Sequence, residues 1–184
     1  MRIFAIGGSL RHDSYNRQLL QATAAEAAPE MALHIWDGLA FVPPFNEDLE
    51  TEPPPPAVAE LRRTIDAADA VLIATPEYNG SVPGQLKNAL DWASRPFRSN
   101  PLRGKPVAVI GASPSPRGAA SAQAELRKVL RMIGARVVGP EFAVPRVHER
   151  FDADGRLSDD VVRARLRELL AELALATTHA VAAA

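Results

Sequence analysis

The feature that most restricts how this chain can fold is a set of short apolar runs, each followed by a segment with helical period. Arg2 to Gly7 is rich in Ile and Phe and stops at Gly7-Gly8. Met31 to Trp36 stops at Asp37-Gly38, Ala70 to Thr75 is continuous up to Pro76, and Val107 to Ala112 is a fourth run. A fifth, Arg136 to Val138 with Phe142 to Val144, is interrupted at Pro140. Runs of this length bounded by turn residues read as strands. A strand that is apolar throughout must be covered on both faces, which is the signature of a parallel sheet.

Helices fill the intervals. Tyr15 to Ala28 carries a stripe of Leu19, Leu20, Ala24 and Ala27 and is followed by Pro29. Val58 to Ala67, Gly84 to Ser94 and Gly118 to Ile133 follow, the second with Leu86, Ala89, Leu90 and Ala93 on one face. Ser158 to about Ala176 is amphipathic, with Ser158-Asp159-Asp160 as its cap. Phe41 to Pro56, ending in four prolines, reads as an extended surface connection. The expectation is an α/β fold: a flavodoxin-like, doubly wound, five-stranded parallel sheet with helices on both faces. At 184 residues it forms one domain, residues 1–184.

Composition narrows the function. Lys+Arg is 21 against 22 Asp+Glu, a net charge of −1, which argues against a nucleic-acid or anionic-membrane binder. The basic set is 18 Arg and 3 Lys without a stripe, which together with 33 Ala reads as genomic base-composition bias. There is no cysteine, which excludes disulfides, thiol nucleophiles and Cys-ligated metal centres. His12, His34, His148 and His179 show no metal spacing. No apolar run approaches the ~20 residues of a membrane span, and Ile3 to Ile6 is too short for a signal-peptide core. A cytoplasmic protein is expected.

In a doubly wound sheet the ligand crevice lies at the carboxyl ends of the strands, at the switch point. The loop after the first strand reads Gly7-Gly8-Ser9-Leu10-Arg11-His12-Asp13-Ser14-Tyr15-Asn16 and runs straight into a helix. It suits a terminal phosphate, with glycines for the turn, N–H groups at the helix start, donors on Ser9, Ser14 and Asn16, and the Arg11 fork. The same residues would serve a plain helix start, with Ser14 as cap and Arg11 as a solvated charge, and the spacing alone does not separate the two. No G-x-G-x-x-G follows the first strand, Gly104-Lys105 lacks the rest of a Walker motif, and a receiver domain would want acidic residues there. A mononucleotide remains. The loop after the third strand, from Ala74 to Gly84, is dense in Pro, Gly and Asn and would offer backbone groups to the edge of a flat heteroaromatic ring.

Together these loops resemble those of the NADPH-dependent FMN reductase family of flavodoxin-like proteins, which includes bacterial quinone, chromate and azo-dye reductases. Gly8-Ser9-Leu10-Arg11 with Ser14 and Asn16 is similar to the family's phosphate loop. Pro76-Glu77-Tyr78-Asn79, then Pro83-Gly84 and Leu86 to Trp92, is similar to its isoalloxazine loop and dimer helix. The resemblance runs from residue 2 to about 150. It implies that Ser9, Arg11, Ser14, Tyr15 and Asn16 hold the phosphate and ribityl end of FMN. It further implies that Pro76, Glu77, Tyr78, Asn79 and Gly80 contact the ring system and that Ser113 completes the pocket. Two departures stand out: Pro114 and Pro116 in the loop after the fourth strand, and a small-residue start, Ala119 to Ala122, where some members carry Arg and Tyr for subunit contacts.

By this resemblance the protein passes hydride from NADPH or NADH through bound FMN to a small electron acceptor. Quinone leads, with chromate, azo compounds or free flavin behind. No side chain is needed as a catalytic base, so Glu77 is expected to act through backbone geometry and Tyr78 as a lid on the ring. A homodimer or homotetramer is implied, with Leu86 and Trp92 either core residues or a dimer contact. The alternatives are a flavodoxin-like electron carrier, for which a charge of −1 is a poor match, and an FMN-binding redox-sensing protein.

Overall fold

A computed structural model describes the backbone of residues 1–181 and the side chains of residues 1–178. The five strands are β1 (Arg2–Gly7), β2 (Ala32–Trp36), β3 (Ala70–Ala74), β4 (Pro106–Ala112) and β5 (Arg136–Val144). They form one all-parallel sheet in the order β2-β1-β3-β4-β5, the expected flavodoxin-like arrangement. Five helices alternate with them: α1 (Tyr15–Ala25), α2 (Pro56–Ala67), α3 (Gly84–Ala93), α4 (Ala120–Ile133) and α5 (Asp160–Val181).

The apolar strands divide their side chains between two cores. Phe4, Ile6, Val71, Ile73, Val107 and Val109 point to one face, where α2, α3 and α4 pack with Leu61, Trp92 and Leu126. Ile3, Ala5, Leu72, Ala108 and Ile110 point to the other, against α1 and α5 with Leu20 and Leu170. This is period-two alternation buried on both sides. Leu86 and Trp92 are fully buried in the first core, so their apolar side belongs to the chain's own interior.

Three local expectations change. The fifth strand is continuous through Pro140, and the pairing absorbs the interruption as an irregularity: Ala108 faces Val138 and Ile110 already faces Phe142. Gly139, at φ +70, is left out of the ladder there, as a bulge allows. The cap of α5 is Asp159, whose Oδ1 accepts from the N–H groups of Val161 (2.9 Å) and Val162 (3.0 Å). Ser158 instead donates to the Arg150 carbonyl.

The segment after β2 is more than a surface connection. Short 3₁₀ turns form at Gly38–Phe41 and Glu47–Leu49, and Leu39 and Val42 are buried. Three side chains of α3 hold it. Gln85 Nε2 donates to the carbonyls of Leu39 and Val42, Asn88 pairs with both Pro43 O and Phe45 N, and Trp92 Nε1 donates to Pro43 O at 2.8 Å. Phe45 then packs edge-on against Trp92, 5.0 Å between centroids.

Candidate active site

The carboxyl ends of β1, β3 and β4 meet at one rim. Gly8 N donates to Ala74 O at 2.8 Å and Thr75 N to Ile110 O at 2.9 Å, so the three strand ends are tied before their loops diverge. Any side chain at Gly8 would force its neighbours to shift. A Cβ there would stand 2.8 Å from Leu86 Cδ2 and 3.2 Å from the ring of buried Pro76. The close approach seats the first loop directly on the second loop and on α3.

At the start of α1, Ser14 occupies the N-cap with extended backbone (φ −75, ψ 126), yet its hydroxyl makes no capping bond. The N–H groups of Tyr15, Asn16 and Arg17, the first helical residues, have no acceptor inside the helix. Ser9 Oγ accepts from Arg11 N at 3.3 Å, which curls the loop, and Arg11 itself is exposed. The result is a concave set of donors at the positive end of a helix dipole, which suits an anion such as a phosphate monoester.

Two residues expected in that set have other engagements. Asn16 is buried and spans to β4: its Nδ2 donates to Ala112 O and its Oδ1 accepts from Ala112 N, both at 3.0 Å. Tyr15 turns toward the α5 side and packs on Phe151, 6.5 Å between centroids.

The loop after β3 closes as a two-residue hairpin. Tyr78 and Ser81 exchange both backbone bonds at 3.1 Å, and Asn79 (φ 53) with Gly80 (φ 77) supply the two positive φ angles of a type I′ turn. Tyr78 is 48% exposed and its hydroxyl lies 3.2 Å from Ser9 Oγ, which joins the first loop to the second.

Glu77 has a side-chain task as well as a backbone one. Its Oε2 accepts from Ser121 N at 2.9 Å and Ala122 N at 3.2 Å, at the start of α4. That helix has no cap of its own, since Ala119 sits at φ +64 without a side-chain bond. Glu77 therefore caps α4 from another loop. Glu125, one turn further along α4, accepts from Ser81 Oγ at 2.6 Å and from Val82 N at 3.4 Å. Glu125 is the residue that reading for motifs misses. Its four-residue spacing from Ser121 is the signal, because it places both on the face of α4 toward the hairpin.

Ser113 lies at the third loop, where its N donates to Val144 O and its carbonyl accepts from Val147 N, both at 3.1 Å. Its hydroxyl accepts from Ser115 N and contacts Ser115 Oγ, each at 3.1 Å, in a compact turn. Gly118, at φ +58, leaves no room for a Cβ, which would stand 2.8 Å from backbone atoms of Val144 and Pro145. The loop is folded on itself despite its two prolines. Among the described residues no three His, Asp or Glu side chains cluster as a metal site, and no helix is long and apolar enough to cross a membrane. His179 lies outside the described side chains.

The donor set at the start of α1 suits a phosphate monoester, and comparison with known proteins decides the family. Residues 1–149 match the profile of the family described as NADPH-dependent FMN reductase. The chain belongs to the NADPH-dependent FMN reductase family. An NAD(P)H-dependent FMN reductase of Pseudomonas aeruginosa is 43% identical over 176 residues, covering 95% of this chain and 94% of the relative. A quinone reductase of Pseudomonas putida is 39% identical over 158 residues, 85% and 84% of the two chains. Among solved structures, the flavoenzyme NAD(P)H:(acceptor) oxidoreductase FerB from Paracoccus denitrificans superposes with a TM-score of 0.85 at 36% identity, covering 94% of this chain and 96% of that one. In this family member Ser9, Arg11, Ser14, Glu77, Tyr78 and Ser113 lie on the three loops that leave the tied strand ends, and Asn16 lies in the first turn of α1.

Proposed function

We propose that the protein is an FMN-dependent oxidoreductase that takes electrons from NADH or NADPH and delivers them to a small acceptor, a quinone first. The observation that carries this reading is the uncapped α1 N-terminus at the end of a loop whose Ser9 meets Tyr78 of the hairpin, in a chain of this family. Ser9, Arg11, Ser14 and the first N–H groups of α1 would hold the phosphate. Tyr15 and Asn16 support this loop from behind. Pro76, Glu77, Tyr78, Asn79, Gly80 and Ser113 would border the ring. FMN, when bound, supplies the two-electron relay between donor and acceptor, and the protein orients it.

Tyr78 stands over the rim with its hydroxyl on Ser9, so it can shield the ring from water and yield to a flat acceptor. Chromate and azo compounds are secondary acceptors in this reading. A second copy of the chain, in a homodimer or homotetramer, would cover the groove between α3 and α4, where Phe97 and Met132 are exposed beside charges of both signs, Lys87, Asp91 and Lys128.

Purified protein should be yellow, or turn yellow with added FMN, and oxidise NADH or NADPH when a benzoquinone is present. Arg11→Ala should weaken FMN binding at least tenfold, as expected for loss of a charge-assisted phosphate contact. A chain that takes up no FMN, or whose bound flavin is not bleached by either nicotinamide, would sink the reading. The second outcome would leave an electron carrier.

A further inference from the structure

A second crevice lies on the other side of the phosphate loop, between that loop and the end of β2. Its volume is about 270 Å³, and Arg11, Arg17, Trp36, Asp37 and Leu39 line it. The crevice shares Ser9 and Arg11 with the proposed phosphate loop, while its β2 wall lies outside that site. Asp37 is the first residue past β2, and Arg17 from α1 grips it with two bonds, Nη1 to Oδ1 at 2.5 Å and Nη2 to Oδ2 at 3.2 Å. This clamp holds the Asp37 carboxyl below the usual range, so the group is an ionised acceptor with a fixed orientation. Trp36, buried beneath the Gly38 turn, has an indole N–H without an acceptor among the described residues.

The placement has a physical precedent in α/β sheets generally. A carboxylate at the end of the second strand, beside the loop of the first, is where dinucleotide-binding sheets accept the hydroxyls of an adenosine ribose. Here the sheet order differs, but β1 and β2 are parallel neighbours with Ile6 facing Trp36, so the loop and the carboxylate stand side by side in the same way. The other chemistry matches a nucleoside 5′-phosphate. Ile35 and Leu39 give apolar wall for a base, while Arg11 and His12 border the loop side as cations or potential cations. The volume sits just below the ~300 Å³ at which pockets enclose a whole drug-sized ligand, which suits one nucleoside and not a complete dinucleotide.

We propose that this crevice binds the adenosine half of the nicotinamide donor, with the Asp37 carboxylate accepting from the ribose 2′,3′-diol. The inference rests on the donor reading in the proposed function and adds the place and the chemistry of recognition. A diol donates to a carboxylate, whereas a 2′-phosphate is repelled by it. The donor with a free diol, NADH, is therefore the preferred one.

The test uses FMN-loaded protein and calorimetric titration with AMP, 2′-deoxy-AMP and adenosine 2′,5′-bisphosphate, so that binding is read without turnover. AMP should bind, and the other two, which lack the free diol, should each bind about tenfold more weakly or worse. Asp37→Ala, a change at an exposed side chain, should erase that discrimination and raise KM for NADH about tenfold while kcat at saturation holds. Arg17→Ala should weaken AMP in the same direction by releasing the carboxylate. AMP that fails to bind the loaded protein, or binds no better than its 2′-deoxy analogue, overturns the subsite. So does AMP that displaces FMN, which would put it in the phosphate loop. Failure to load FMN at all overturns the proposed function instead, and is seen before any AMP is added.

Discussion

Replacing Glu77 with alanine removes the side chain that caps α4. Two N–H groups, of Ser121 at 2.9 Å and Ala122 at 3.2 Å, lose an ionised acceptor, and Ala119 offers no substitute. Loss of a side-chain N-cap costs about 0.5–2 kcal/mol. The carboxylate also opposes the positive end of the helix dipole, which adds about 0.3–1 kcal/mol when partly exposed. We expect about 1.5 kcal/mol for Glu77→Ala, or roughly 3–6 °C in Tm for a chain of this size. Glu77→Gln keeps an acceptor and loses the charge, so it should recover about half. The consequence for the site is separate. With Glu125 as its remaining tie to α4, the Tyr78 hairpin must be ordered further when the cofactor binds, and about 1 kcal/mol of that cost would weaken FMN roughly fivefold. Thermal unfolding of the unloaded protein and an FMN titration read the two effects independently. A Glu77→Ala protein with the parental Tm would refute the capping role. Weakened FMN binding at an unchanged Tm would assign the carboxylate to direct cofactor contact.

Asn16→Ala should be a severe lesion, because Asn16 is buried in the first turn of α1. It leaves the N–H and C=O of buried Ala112 unpaired, and at about 1–3 kcal/mol for each orphaned group we expect a total near 2–4 kcal/mol in denaturant unfolding. The pH dependence of stability has a named contributor in Glu26, whose carboxyl is held below its ordinary 4.5 first by the bond from Arg163 and then by Arg167. A depressed folded value means that this stabilisation is present above about pH 4.5 and is lost as pH falls through the folded value. Arg163→Ala should flatten the fall of Tm across that acid window, and an unchanged slope would refute the assignment.

The sheet was legible because its strands are buried on both faces, so nearly every residue of Ala70–Ala74 and Pro106–Ala112 had to be apolar. Helix boundaries were less so. Pro56 rather than Val58 begins α2, since proline at the first helical position forfeits only an N–H that has no partner there. The place of the first loop was legible, because it follows β1 at the switch point of the sheet and runs straight into α1. Its individual roles were not. Asn16 reads as a donor by type, and only the fold shows Ala112 lying opposite both ends of its amide. Glu77 looks idle for electron transfer, and its partner, the start of α4, lies 44 residues away in the chain. Contacts at that separation leave no local pattern. The Asn79-Gly80 turn is the contrary case, since a type I′ hairpin needs just that pair and so announces itself.

The anchoring of the Pro-rich stretch by α3 has a consequence for how the chain tolerates length change. Gln85, Asn88 and Trp92 fix the path from Leu39 to Phe45 at four carbonyl or amide points, so this part is a fixed span. An insertion there would have to break several of those bonds at once. Beyond Asn46, residues 47–52 are exposed, and α2 does not begin until Pro56. Extra residues there would disturb at most the short Glu47–Leu49 turn and otherwise cost loop entropy, which grows slowly with length. Variation in chain length between β2 and α2 should therefore gather after residue 46, and a tag or a reporter loop has its natural entry point there.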